Sequence, residues 1–237
     1  MTPKPYFLKI ADMLKQEIAG GALKPHMALP SERALAEKFL VSRMTARRAL
    51  ELLEHEGLAY NEERRGRFVS PPRLRYDLSS VVSLVANSKA RGEKLEIKVI
   101  EAKEIKHSSW LYDKFEGMNA EAFLSYTRLF SIDGHAIFIE TEYLVSDRFP
   151  DFFDHDLKQS TSHILDEIYE TPSCSGDIVI KMCRLSDNEA GLLNIPKNRA
   201  AIELEQITRD TEGLPICLAR QIWRGEMAEF SAKTIVN

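Results

Sequence analysis

The stretch PSERALAEKFLVSRMTARRALELLEHEGL, residues 30–58, decides how the rest of the chain is read. Pro30-Ser31-Glu32 has the composition of a helix start, with Ser31 as N-cap and Leu35, Ala36 and Phe39 as the apolar stripe behind it. Leu40-Val41 leaves room only for a tight connection before Ser42, which caps a second helix. At about 100° per residue, Ala46, Ala49, Leu50 and Leu53 gather on one side of that helix. Arg43, Met44, Arg47 and Arg48 fall on the other. Two short helices joined by a tight turn form a helix-turn-helix pattern. Three cations near the positive end of one helix repel one another and oppose its dipole. They suit a helix whose first turns meet bases and phosphates in a major groove. A solvated charged face, with Glu51 pairing with Arg47, is the competing reading.

Upstream, YFLKIADMLKQEIAGG (6–21) places Phe7, Ile10, Met13 or Leu14, and Ile18 near helical spacing, and Gly20-Gly21 supplies the stop. Downstream, Gly57 ends the helix and Leu58-Ala59-Tyr60 starts a short strand. A charged turn over 61–65 leads to a return strand from Gly66 to Ser70. This is a two-stranded wing with Arg64, Arg65 and Arg67 at its tip, where Gly66 lets backbone approach DNA closely.

Charge follows the same division. Residues 1–75 hold 14 Lys+Arg and 9 Asp+Glu, a net +5, whereas the remainder nets −9 out of a total of −4. A basic segment joined to an acidic one implies that only the first meets a polyanion.

PSERALAEKFLVSRMTARRALELLEHEGL with RRGRFV resembles the winged helix-turn-helix domain of GntR-type bacterial transcription regulators. By that resemblance Arg33, Ser42, Arg43, Thr45, Arg47 and Arg48 lie at DNA, with Gly66, Arg65 and Arg67 forming the wing's minor-groove tip. Ala46 stands where the family usually has Val, a change on the core side.

Ser70-Pro71-Pro72-Arg73 reads as a stiff exit. The expected division is a DNA-binding domain over 1–70, a linker over 71–77 and a second domain over 78–237. Helical periods occur around 78–91, 108–115, 160–169 and 186–193. Six strand-like runs lie between them: EIKVIEAKEI, EAFLSYTRLF, AIFIETEYLV, DIVIKMCRL, AIELEQITR and PICLARQIW. Residues 132–135 and 211–214 read as hairpin turns. The class is α+β with antiparallel strands. A faint repeat at an offset of 79 residues sets Asp133-Gly134 against Glu212-Gly213 and Ile137 against Ile216. Each half reads helix, strand, turn, strand, which suggests a crevice between pseudo-symmetric halves as a ligand site.

R-L-x-x-x-D-G at 128–134, IETEYL, the S-x-x-x-I-L start at 160 and R-G-E at 224–226 resemble the UTRA effector-binding domain of the HutC subfamily, related in fold to chorismate lyase. Arg128 shares a strand face with Leu124, Tyr126, Phe130 and Ile132, so it needs an anion or a carboxylate partner. An internal pair with Glu140 or Glu142 is open, because hairpin register decides which faces it. The resemblance implies an effector held by Arg128, Glu140, Ser160, Ser162, Cys217 and Trp223. Phe130 replaces the second Arg of the family's phosphate-binding R-x-R, Ser162 a Tyr, Cys217 a Glu and Trp223 a Tyr. The expected effector is therefore small and weakly anionic with an apolar portion. Arg220 and Arg224 share a face with Ile216, Leu218 and Ile222, and a structural ion pair competes with ligand contact for Arg224.

The expected function is a transcription regulator, most simply a repressor, that binds a palindromic double-stranded operator as a homodimer and is released by a small-molecule effector. An enzyme of chorismate lyase-like fold acting on a small carboxylate is the alternative, although no nucleophile or acid–base set stands out. No cofactor is expected. His107, His135, His155 and His163 sit in different elements without ligand spacing, so no metal is expected either. Cys174, Cys183 and Cys217 lack C-x-x-C spacing and read as free thiols. With no signal-peptide pattern and no apolar run of membrane-spanning length, the expectation is a cytoplasmic protein without a membrane partner.

Overall fold

A computed structural model of the chain describes residues 4–62, 65–78, 94–106, 108–116, 118 and 120–233. Most of the helix expected at 78–91, Arg64 and His107 lie outside the described residues.

Three helices come first: α1 (Tyr6–Ala19), α2 (Glu32–Phe39) and α3 (Arg43–His55). Both serine caps form. Ala34 N–H donates to Ser31 Oγ and Thr45 N–H to Ser42 Oγ, each at 3.1 Å. Between α2 and α3, Leu40 takes a left-handed φ of 53°, which ends one helix and turns the chain into the next. Ile10, Ala11 and Leu14 meet Leu35, Ala36, Ala46, Ala49, Leu50 and Leu53 in one closed core. The apolar face read from the sequence is thus the face that packs.

The wing is β1 (Ala59–Glu62) paired antiparallel with β2 (Gly66–Val69), in register from Ala59 opposite Val69 to Glu62 opposite Gly66. The segment before α2 adds an unanticipated edge. His26 and Leu29 N–H donate to Val69 and Arg67 carbonyls, and Val69 N–H donates to the Met27 carbonyl. That edge fixes β2 on the helices.

The second unit contains β3 (Leu74–Asp77), β4 (Leu95–Lys106), α4 (Ser109–Lys114), β5 (Ala122–Ile132), β6 (His135–Val145) and α5 (Thr161–Glu167). It continues with β7 (Ser175–Arg184), α6 (Asp187–Leu193), β8 (Ala200–Arg209), β9 (Pro215–Trp223) and β10 (Ala228–Ser231). Six strands form one antiparallel sheet in the order β4-β5-β6-β9-β8-β7. That order is palindromic: β4-α4-β5-β6 and β7-α6-β8-β9 are the same unit twice, joined at β6–β9. The faint sequence repeat is therefore a structural one, with a leading strand that the sequence reading had not assigned to each half.

Two short strands were not anticipated. β3, within the segment expected as linker, pairs parallel with β10, Leu74 opposite Ala228 through Asp77 opposite Ser231. LRYD and AEFS are only four residues each, and their pairing joins distant parts of the chain.

One sheet face is covered by α4 and α6, through Leu111, Phe115, Phe123 and Leu218 and through Ile139, Ala190, Leu193 and Ile222. The other is covered by Phe149, Phe152, Ile164 and Leu165, and near β3 and β10 by Leu74 and Met227. Tyr60 of the wing is fully buried in that second cluster with Phe130, Phe138 and Trp223. The helix-turn-helix half and the sheet thus share a packed seam.

Candidate DNA-binding and effector sites

At the helix-turn-helix, the structure separates the predicted arginines into free and committed ones. Arg43 is exposed in the first turn of α3, and its side chain makes no ion pair among the described residues. Arg33 is exposed and 3.4 Å from Glu37 one turn on. Arg47 is exposed but bidentate: Nε and Nη2 donate to the two carboxylate oxygens of Glu32, each at 3.0 Å. The partner anticipated for it was Glu51. Arg47 and Arg67 together hold the Glu32 carboxyl below its ordinary range. Thr45 Oγ1 lies 3.0 Å from Ser42 Oγ, so both hydroxyls belong to the cap.

Two placements differ from expectation. Arg67 does not stand at the wing tip; it folds back, Nε donating to Glu54 and Nη1 to Glu32 at 3.0 Å. Arg48 lies over the Phe7 ring, 4.4 Å from its centroid, and so braces α1 on α3. Arg65 reaches Glu62 at 2.5 Å beside Gly66, whose φ of 102° no other residue type adopts freely.

Replacing Ser42 with Ala should cost about 1 kcal/mol of stability through the lost cap. DNA affinity should fall less than in Arg43→Ala, as a paired denaturation and binding titration would show.

The seam between the halves is polar at its rim. His26 stacks on His135 with centroids 3.7 Å apart, and Tyr60 Oη lies 2.8 Å from His26 Nδ1 and 3.2 Å from His135 Nδ1. Glu62 Oε1 is 3.2 Å from His135 Nδ1. Arg199 approaches Glu54 at 3.6 Å and Glu226 at 3.9 Å. Arg224 pairs with Glu226 at 3.1 Å beneath the Tyr60 ring, so its role is the structural one. Burial, then the neighbouring His135, lower the His26 pKa from 6.5 to about 4. A native pKa below the unfolded value means that the unfolded chain binds the proton first. This contribution is complete above pH 6.5 and is lost as pH falls from there towards about 4. The melting temperature should drop across that window, and His26→Phe should flatten the slope.

The candidate effector site lies on the face of β5, β6 and β9 opposite α4 and α6. The β5–β6 turn is Asp133-Gly134, both at positive φ, and a bulge follows Phe130. That register sets Arg128 opposite Glu140, with Glu142 one pleat along on the same face. Both carboxylates take the guanidinium: Nη2 donates to Glu140 Oε2 at 2.6 Å and to Glu142 Oε2 at 2.5 Å. Nη1 donates to the Leu157 and Gln159 carbonyls at 3.0 and 2.7 Å. Tyr126 Oη and Thr161 Oγ1 also donate to Glu142, and Gln221 Nε2 donates to Glu140 Oε1 at 2.7 Å. Arg128 is 4% exposed.

Arg128, Glu140, Glu142, Gln159, Thr161 and Gln221 among these line a cavity of about 360 Å³. Of the residues singled out for an effector, Arg128, Glu140, Ser160, Ser162 and Cys217 line it. Trp223 does not. It lies fully buried behind the wall, its Nε1 donating to Gln221 Oε1 at 2.9 Å. Residues missed by sequence reasoning are Tyr76 and Asp77 of β3, Thr161, Ile178 and Gln221. Of the two kinds of partner open for Arg128, the internal carboxylates are present, and both Glu140 and Glu142 pair with it. Burial and then Glu142 push the Cys217 thiol well above its ordinary pKa, leaving a protonated sulfur rather than a nucleophile. Arg220 pairs with Glu203 and Glu189, away from the cavity.

Comparison with known proteins agrees with both halves. Residues 8–69 match the model for bacterial regulatory proteins of the gntR family, and residues 90–229 match the UTRA domain. The chain therefore belongs to the GntR family of bacterial regulators, in the branch carrying a UTRA domain, and is a DNA-binding transcription regulator. It is 27% identical over 229 residues to the HTH-type transcriptional repressor NagR of Bacillus subtilis (strain 168), spanning 97% of this chain and 94% of that one. Against a histidine utilization repressor of Pseudomonas putida it is 28% identical over 227 residues, 94% of this chain and 89% of the other. The crystal structure of PhnF from Mycobacterium smegmatis has the same fold, with a TM-score of 0.67 at 22% identity over 96% of this chain and all of that one.

Proposed function

We propose that the chain is a repressor that binds a two-fold operator as a homodimer and leaves it when a small molecule enters the cavity. The names of its relatives, two of them repressors, support the sign of regulation. The observation that carries the coupling is the position of β3. It follows the wing after Ser70, pairs with β10, and puts Tyr76 and Asp77 into the cavity wall. A ligand that presses on Tyr76 and Asp77 favours one placement of β3, and with it one placement of the wing and helix-turn-helix. Only such a difference in affinity between placements turns binding into release.

Two-fold proteins read two-fold sites. Selection of bound duplexes from a random library should therefore enrich an inverted repeat with half-sites about one helical turn apart. Enrichment of a single unrepeated site would refute the dimer, and no enrichment would refute sequence-specific binding.

A further inference from the structure

On α3 the direction away from the core belongs to an apolar side chain. Ala46, Ala49, Leu50 and Leu53 are the buried residues of the helix. At about 100° per residue Met44 points almost directly opposite to them, with Arg47 about 60° to one side and Arg48 about 40° to the other. Met44 is 59% exposed. Its neighbours on that face are engaged elsewhere: Arg47 is held by Glu32, and Arg48 lies over the Phe7 ring. The Ser42 and Thr45 hydroxyls belong to the cap, and Ala46 is buried. Among the described residues, Arg43 and Met44 are therefore the two side chains of the first turn that reach outward.

A lone exposed methionine is ordinary on a protein surface. What sets this one apart is its place, flanked by arginines on the face that meets a polyanion. A major groove offers phosphates along its walls, donors and acceptors on the base edges, and one apolar group, the C5-methyl of thymine. A thioether chain has no proton to donate and no charge to set against a phosphate. Its flexible, polarizable end fits an apolar contact instead.

We propose that Met44 reads a thymine in each operator half-site by packing on its C5-methyl group, at or beside the base pair that Arg43 meets. The proposal rests on the operator-binding reading above, with α3 in the major groove. Arg43 and Met44 are consecutive, so their side chains reach the same or adjoining base pairs, one by charge and hydrogen bonds and the other by apolar contact alone.

The test replaces each thymine of the selected operator in turn by deoxyuridine, which removes the methyl group and leaves every hydrogen-bonding group of the base in place. Dissociation constants are measured at one salt concentration for the unsubstituted chain, Met44→Ala and Met44→Leu. At one thymine per half-site, deoxyuridine should weaken binding by the unsubstituted chain about threefold to fivefold, and by more than about tenfold when both half-sites carry it. Met44→Ala should bind the thymine operator about as weakly as the unsubstituted chain binds the deoxyuridine one, and should not tell the two apart. Its melting temperature should be unchanged, because the side chain is exposed. Met44→Leu should still distinguish them. The salt dependence should be the same for all three proteins, since no charge is altered.

The proposal is overturned if deoxyuridine weakens binding at no position. It is overturned equally if the penalty persists in Met44→Ala, which would give the methyl group to another side chain. These results, together with a loss of affinity in Arg43→Ala, would leave α3 as the reading helix and remove Met44 alone. Unchanged operator affinity in Arg43→Ala, or a selection that enriches no site, would remove both.

Discussion

Arg43→Ala should lower affinity for the selected operator about ten- to a hundred-fold while leaving the melting temperature where it was. The expectation is this large because Arg43 has no internal partner to release among the described residues and sits in the first turn of α3. If Arg43 meets a base edge, the loss falls on operator and not on scrambled DNA. If it meets a phosphate, both fall and the salt dependence weakens by about one counterion. Arg47 and Arg67 should behave differently, since each must leave Glu32 before it can bind DNA. Their truncation frees a carboxylate beside the DNA surface, so part of any loss reflects new repulsion. Unchanged affinity in Arg43→Ala would remove α3 as the reading helix.

Arg128→Leu should destabilise the protein by about 3–5 kcal/mol, because it strands two buried carboxylates. For a unit of this size that is a fall of roughly 10 °C or more in melting temperature. The deficit should shrink on acidification. The pKa of Glu140 is already raised by burial and by Glu142, and losing Arg128 raises it further, so the fold regains stability as pH drops towards the unfolded range. Thermal scans at pH 8 and pH 5 compare the two cases. An equal deficit at both would mean that water reaches Glu140 and Glu142.

The helix-turn-helix was legible because its signals are local. Caps, stripe and arginines lie within one 29-residue stretch, and α2 and α3 form where that stretch requires them. The six long strands were legible for a similar reason, since each alternates or runs apolar over nine residues or more. What stayed hidden depends on contacts between distant segments. Arg67 turned inward because Glu32, 35 residues away, and Glu54, 13 away, meet at the base of the wing. The β3–β10 pair joins residues near 75 and 229, and with it came Tyr76 and Asp77 in the cavity wall. Arg128 was found by strand alternation, yet its partners turned on one bulge after Phe130. Trp223 was carried over by motif position, and the fold seats it one layer behind the wall, where Gln221 meets the cavity in its place.

Sequence-specific DNA binding by this chain is measured by its dissociation constants for the selected operator and for a scrambled duplex at one salt concentration. A preference of at least about a thousand-fold for the operator is expected near physiological salt. Equal affinities for the two duplexes would contradict it.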